Sequence, residues 1–559
     1  MCQDTRASRI IIIFKVDYYS FMHQRISTLI FFTLFLFSCG NKHEYSELSA
    51  VPIIPQPVYV ESGRGVFELT KNSIIYVDSA TPEWLTVAEA LAEKIRPSTG
   101  FAMNILVAQQ PTLPGIRLTS VNDPELATEG YHLNITEKLL TVSANTAQGA
   151  FRAIQTIRQL LPASIELPSR QDISWRIPAG VIRDFPGYSY RGAMLDIARH
   201  FFSVSEVKRF IDLISLYKIN YLHLHLSDDQ GWRIEIKSWP NLTLHGGKTE
   251  VGGGEGGYYT QEQYKEIIKY AQERYITIVP EIDMPGHINS ALASYGELNG
   301  GTIVPVEGRI TNAVNSNTIL DGKSKPTELY TGIEVGWSTL RLEKKATFRF
   351  VEDVIREISA ITPGPYFHIG GDEAQVTKKE DYIQFIDRFR QIVKANKKIM
   401  MGWEEIAQAG IDTASIAQFW HSPNYALMAV EKGGKLLMSP AEKAYLDMSY
   451  DSTSSFGLHW AAFIEVDSAY SWNPATYIDG ISRENIIGIE APLWSETISN
   501  MDEVEYLLFP RLPGYAEIGW SQEKGRSWEE YRVRLGKQER RFKAMKINFY
   551  RSKLVPWTN

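Results

Sequence analysis

Beyond residue 190 the chain repeats one pattern. A short apolar run rich in β-branched residues gives way to a longer stretch whose apolar positions recur at helical spacing. The runs at 190–196, 221–226, 276–282, 366–370, 398–403, 415–420, 435–439 and 486–491 are bounded and strand-like. Between them, 205–217, 261–274, 346–361 and 381–395 carry the spacing of amphipathic helices. Eight strands alternating with helices predict an α/β fold, a (β/α)8 barrel. An open doubly wound sheet would set a glycine-rich phosphate turn after its first strand, and Arg191-Gly-Ala-Met has none. Residues 51–185 read differently: strands at 73–78 and 138–143, helices at 82–95 and 147–161, and no converging set of ionisable groups. They predict a small supporting α+β domain, with a boundary over 178–186 and the barrel running from 186 to 559.

The first 45 residues stand apart from the fold. Arg25 precedes an apolar run, 26–37, that is too short to span a bilayer but suits the core of an export signal. The run ends in Leu36-Phe37-Ser38-Cys39-Gly40, which resembles a bacterial lipoprotein signal cleaved before Cys39, with acylation of that sulfur. Residues 1–38 are therefore read as signal, with Met22 as a start of ordinary proportions, and 39–50 as a lipidated tether. The expected location is the bacterial outer membrane, facing the periplasm or the exterior, with the lipid as the sole membrane contact. Cys2 and Cys39 are the only cysteines, so the mature body has no thiol for disulfides, metal sites or nucleophiles. A net charge of −7 over 559 residues gives no reason to expect nucleic acid as partner. The aromatic content, 13 Trp and 28 Tyr, fits a sugar-binding protein, because the C–H face of a pyranose packs on a flat ring.

A barrel should gather its working groups at the C-terminal ends of its strands. Asp228 and Asp229 follow the second predicted strand, Glu281, Asp283 and His287 end the third, and Asp372 and Glu373 end the fourth. Trp403 and Glu404 end the fifth, Trp420 the sixth, and Trp494 and Glu496 the eighth. The sharpest segment is His368-Ile-Gly-Gly-Asp-Glu373. Two adjacent carboxylates there cannot both face the same way, and the glycines permit an unusual backbone at the strand end.

These runs carry a specific resemblance. Residues 190–520 resemble the catalytic domain of family 20 glycoside hydrolases, the β-N-acetylhexosaminidases. The matching segments are Arg191-Gly-Ala-Met-Leu-Asp-Ile-Ala-Arg-His-Phe201, His223-Leu-His-Leu-Ser-Asp-Asp-Gln-Gly-Trp-Arg233, Glu281-Ile-Asp-Met-Pro-Gly-His287 and His368 to Glu373. Gly402-Trp-Glu-Glu405, Tyr445-Leu-Asp447 and Leu493-Trp-Ser-Glu496 complete the set. Residues 51–185 are similar to the small domain preceding the barrel in that family.

The resemblance implies a retaining exo-β-N-acetylhexosaminidase that removes terminal GlcNAc or GalNAc without cofactor or metal. Most retaining glycosidases use two carboxyl groups about 5 Å apart, whereas family 20 uses the substrate's acetamido group as nucleophile. By the same resemblance Glu373 is the general acid and base, Asp372 holds and stabilises the acetamido group, and Tyr445 donates to its oxygen. Arg191 is expected on the outer hydroxyls, shared with Glu496 and Asp447. Trp403, Trp420 and Trp494 are expected to wall the pocket, with Trp472 at its lip. His287 and Asp228 are expected behind the carboxylate pair, although spacing alone does not separate Asp228 from Asp229.

Two rivals remain open. His223 and His225 with Asp228, Glu281 and His287 have the residue types of a metal site. A non-catalytic carbohydrate-binding lipoprotein would need a broken Asp372–Glu373 pair or a missing Arg191, and all three are present. The segment 298–338 and the glycine-rich 246–257 match no motif and are expected to form rim loops that select the leaving group.

Overall fold

The computed structural model describes residues 45–78, 80–305 and 325–558. The expected signal segment, Cys39 and the middle of the 298–338 segment lie outside the described residues. No described helix is long and apolar enough to cross a membrane.

The N-terminal domain is a seven-stranded sheet. Its strands are β1 (Tyr59–Leu69), β2 (Ile74–Val77), β3 (Ile105–Val107), β4 (Gly115–Ser120), β5 (Tyr131–Ile135), β6 (Leu139–Ala144) and β7 (Trp175–Asp184), in the order β1-β7-β5-β6-β4-β2-β3. Burial alternates along β5 and β6, so one face of the sheet takes the apolar side chains. Helices Pro82–Thr99 and Ala147–Leu160 pack together and cover it. The second helix is buried on nearly every side, polar residues included, because its far side meets the barrel. The expected boundary region is largely strand: β7 pairs with β1 and β5, and the domain changes only after Asp184.

The second domain is a closed parallel barrel of eight strands. They are β8 (Tyr190–Asp196), β9 (Tyr221–His225), β10 (Thr277–Glu281), β11 (Tyr366–His368), β12 (Ile399–Trp403), β13 (Ile416–Phe419), β14 (Lys435–Met438) and β15 (Ile486–Ala491). Each of the eight predicted runs supplies one strand, and β15 pairs with β8 to close the ring. Barrel strands are covered inside by side chains and outside by helices, so all seven residues of β8 are buried. Helices Val204–Leu216 and Gln261–Gln272 begin with capping boxes, Ser203 with Glu206 and Thr260 with Gln263, which fixes where each leaves its loop.

The interior is layered along the axis. Tyr190, Tyr221 and Tyr366 fill the N-terminal end, with the first two rings stacked 4.0 Å apart, against Val279, Met401, Ile416 and Leu437. Above them sits a polar layer of His223, Glu281, His368, Gln418 and Glu490, all fully or nearly fully buried. Buried polar groups persist only when paired, and here imidazoles meet carboxylates. The C-terminal ends of the strands open above this layer.

Candidate active site

The strand ends enclose a cavity of about 330 Å³. Asp372 and Glu373 lie beyond β11, Trp403 ends β12, and Trp420 follows β13. Tyr445 and Asp447 follow β14, Trp494 and Glu496 follow β15, and all eight line the cavity with Arg199. Ile333, Val335, Leu458 and Trp460 form the rest of the lining; Trp460 is 56% exposed and forms the lip.

Both carboxylates reach the cavity, contrary to the expectation that adjacent side chains diverge. Gly370 and Gly371 have φ of 64° and 93°, and Glu373 itself is left-handed at 44°. A Cβ on Gly370 would fall 1.9 Å from Asp283 Oδ1, the atom that accepts from the Gly371 N–H at 2.9 Å. Only glycine permits that approach. The turn thus delivers Asp372 and Glu373 side by side.

A row of charged groups stands behind Glu373. His287 Nε2 lies 3.5 Å from Glu373 and 3.7 Å from Asp372, while its Nδ1 faces Asp228 at 3.3 Å. Asp228 also takes Arg199 at 2.8 Å and His225 at 2.9 Å. This separates the two candidate aspartates: Asp229 turns away to accept from the Ser338 hydroxyl and the Asn289 N–H. Burial alone would drive the proton off His287, but the charge and hydrogen bond of Asp228, with Glu373 and Asp372 beyond, hold it well above the usual histidine range. Burial likewise raises Glu373, yet His287 and Arg199 outweigh it and keep the carboxyl below its usual value. Between His287 and Glu373 the proton therefore rests on the imidazole.

Asp372 is raised, by burial and by its anionic neighbours Glu281 and Glu373. Burial and the charge of Asp372 raise Asp283 much further. The interaction between the two carboxyls raises Asp283 and lowers Asp372, so the proton of the pair rests on Asp283. That leaves Asp372 as the acceptor. Burial also keeps the Tyr445 hydroxyl protonated, and hence a donor.

Two expected sugar contacts are elsewhere. Side chains alternate along a strand, and Tyr190 points into the barrel to donate to Glu490 at 2.7 Å, so Arg191 points outward. It is fully buried near the N-terminal end, bonded to Glu129 at 2.6 Å and to the carbonyls of Lys218 and Tyr188, with Trp520 under its guanidinium. Arg191 joins the two domains and cannot touch a ligand in the cavity. Its place is taken by Arg199, three residues past the end of β8, whose guanidinium lies over the Trp494 ring at 4.7 Å. Trp472 is 7% exposed, donates to the Ala469 carbonyl and meets Tyr477 edge-on, away from the cavity. Trp460 is the lip residue.

His223 and His225 face the barrel interior together, as their spacing requires. Both nitrogens of each are met by carboxylates: Glu490 and Glu281 for His223, Glu281 and Asp228 for His225. A cation in the groups around His223 or His225 would have to displace these ion pairs.

Residues 188–523 match the family model described as glycosyl hydrolase family 20, catalytic domain, and residues 50–185 match domain 2 of the same family. This chain belongs to glycosyl hydrolase family 20. It is 36% identical to a β-N-acetylhexosaminidase of Cellulomonas fimi over 91% of this chain and 97% of that one. It is 30% identical to a β-hexosaminidase of Porphyromonas gingivalis over 92% of this chain and 67% of the relative. Among solved structures, the Streptomyces plicatus N-acetyl-β-hexosaminidase in complex with Thio-NAglucal superposes with a TM-score of 0.85 at 44% identity, covering 92% of this chain and 99% of that one. A mutant of the same Streptomyces enzyme is known in complex with GlcNAc as product, with a TM-score of 0.84. As a member of family 20, the chain is a glycoside hydrolase with its cavity at the barrel mouth.

Proposed function

We propose that this hydrolase is a retaining exo-β-N-acetylhexosaminidase that uses the substrate's own acetamido group as nucleophile, through an oxazolinium intermediate. The observation that carries the reading is a set of buried carboxylate oxygens at one closed end of the cavity. Asp372 Oδ1, Asp447 Oδ2 and Glu496 Oε2 have no hydrogen-bond donor among the described residues. Buried acceptors without donors are costly, and a sugar supplies the missing donors as an amide N–H and hydroxyls. Asp372 accepts the acetamido N–H and stabilises the charge that grows there as its carbonyl oxygen attacks the anomeric carbon. The Tyr445 hydroxyl donates to that oxygen and aligns it. Trp403 and Trp494, with Trp420 beside them, enclose the methyl group and the ring face.

Glu373 gives its proton to the departing oxygen, and the proton stored on His287 is the supply. The same carboxylate then takes a proton from water as it opens the oxazolinium. Arg199 and Glu496 bind outer hydroxyls, with Asp447 beside them. The relatives named above act on, or bind, N-acetylhexosamine, which supports terminal GlcNAc or GalNAc as the sugar.

The test is release of nitrophenol from its β-N-acetylglucosaminide and from its β-glucoside. Turnover of the acetamido sugar alone, falling by roughly 100-fold or more in Glu373→Gln and Asp372→Asn, is expected. Equal turnover of the glucoside would make a protein carboxylate the nucleophile. We further propose export with a lipid on Cys39, which incorporation of labelled fatty acid, lost in Cys39→Ser, would establish.

A further inference from the structure

Beneath the cavity, at the end of β10, Glu281 is fully buried, hydrogen-bonded to Trp403 and His225 and close to two further imidazoles. Its Oε1 accepts from the Trp403 indole N–H at 3.0 Å and faces His368 Nδ1 at 2.9 Å. Its Oε2 faces His223 Nε2 at 3.2 Å and bonds closely to His225 Nδ1.

Two of those bonds lead to the cavity by separate routes. Through Trp403, Glu281 fixes the ring that walls the floor. Through His225 it reaches Asp228, 2.9 Å from the other ring nitrogen, then His287 and Glu373. The row Glu281–His225–Asp228–His287–Glu373 alternates carboxylate and imidazole, so each member holds its neighbour's orientation and charge. His368, beside Glu281, accepts from the Gly370 N–H at 3.1 Å and so braces the turn that delivers the carboxylate pair.

We infer that Glu281 is a positioning residue for glycosidic cleavage, setting the orientation of the Glu373 row through His225. The inference rests on Glu373 being the general acid, as proposed above. Among buried groups the local dielectric is low, so a change at the root of such a network is felt along its bonds. Glutamine at this position keeps the shape but turns one acceptor oxygen into a donor facing N–H groups. His225 then loses its anchor, and Asp228 and His287 turn with it.

Leaving groups separate this role from general damage. A dinitrophenyl aglycone departs without help from an acid, whereas methylumbelliferyl or a second sugar needs a proton. The experiment measures kcat and KM of full-length wild type, Glu281→Gln and His225→Gln on N-acetylglucosaminides with these three leaving groups, beside thermal unfolding. His225→Gln retains a donor toward Asp228 but cannot reach Glu281, so it breaks the same link elsewhere. The expected result is a loss in kcat/KM, which reads the acid-assisted step and not the later attack of water, of roughly 10- to 100-fold on the disaccharide and under threefold on the dinitrophenyl glycoside. Both variants should show it, and the double variant should be no worse than either single one.

Equal loss on all leaving groups, or additive losses in the double variant, would overturn the inference while leaving the hydrolase reading intact. Should Glu281→Gln fail to fold, His225→Gln decides by the same criterion. A wild type inactive on every acetamido substrate would instead sink the reading on which the inference rests.

Discussion

Two arginines, one in the first barrel strand and one just past it, give a crossed prediction. Arg191 and Arg199 both belong to the segment that resembles the family, yet one is a fastener and the other faces the cavity. Arg191→Met removes one partner of a fully buried ion pair and leaves Glu129 with Arg152 at 2.8 Å. Breaking a buried pair from one side costs about 3–5 kcal/mol, and the stacking on Trp520 is lost as well. That energy concerns folding, since no atom of Arg191 reaches the cavity. Arg199→Met leaves Asp228 with His225 and His287, so the row survives, but a charged donor to the sugar is gone. A hydrogen bond to a charged group contributes about 1.5–3 kcal/mol, or roughly 10- to 150-fold in kcat/KM. The assay pairs kcat/KM on nitrophenyl N-acetylglucosaminide with denaturant unfolding of each variant. Folded Arg191→Met should turn over like wild type and unfold at lower denaturant, whereas Arg199→Met should lose turnover. A wild-type kcat/KM in Arg199→Met, or a catalytic defect in Arg191→Met at unchanged stability, would refute the assignment.

Gly370→Ala should abolish most activity, because its Cβ would collide with the Asp283 carboxylate at a φ that costs a non-glycine residue about 1–2 kcal/mol; a fully active alanine variant would show that the turn can relax. His287→Asn should move the basic limb of kcat/KM against pH downward, since the proton would then sit on Glu373 alone and leave in the carboxylate range. Burial by itself would raise Glu129, but Arg191 and Arg152 bring it down to about 2, so its contribution is complete above the ordinary carboxylate value of 4.5 and is lost as pH falls toward 2. That difference corresponds to about 3 kcal/mol, and the stability gap between wild type and Glu129→Gln should narrow over this interval. Activity should survive exhaustive treatment with EDTA, because the buried histidines already bond carboxylates; a loss restored by zinc would revive the metal reading.

The barrel was legible because each strand is a bounded apolar run and each helix repeats at its own period. The cavity was legible because strand ends converge: Asp372, Glu373, Trp403, Trp420, Tyr445, Asp447, Trp494 and Glu496 all arrive where the topology requires. Arg191 misled for a reason the same logic contains. It is the second residue of its strand, at the end away from the mouth, and side-chain alternation turns it outward from Tyr190. Arg199 lies past the C-terminal end of that strand, where functional groups gather, so counting along the strand would have chosen it. Trp472 lies in a segment whose distance from the cavity depends on chain folding after β14, for which periodicity holds no information. The Glu281 hub was equally hidden: His223, His225, His368 and Trp403, from β9, β11 and β12, converge on it only when the barrel closes.

The buried contact of Glu129 with Arg152, Arg191 and Asn220 bears on how this enzyme can be cut and reassembled. Lys218, also fully buried, answers to Asp184 and Tyr131 across the same seam. A barrel expressed from residue 186 onward would expose Arg191 and Lys218 with their counter-charges missing, and Trp520 without the Asp184 carboxylate its indole bonds. Domain shuffling at this junction therefore has to carry both sides of the seam: the small domain behaves as a permanent half of the enzyme's foundation, and swapping it means grafting its acidic residues with it.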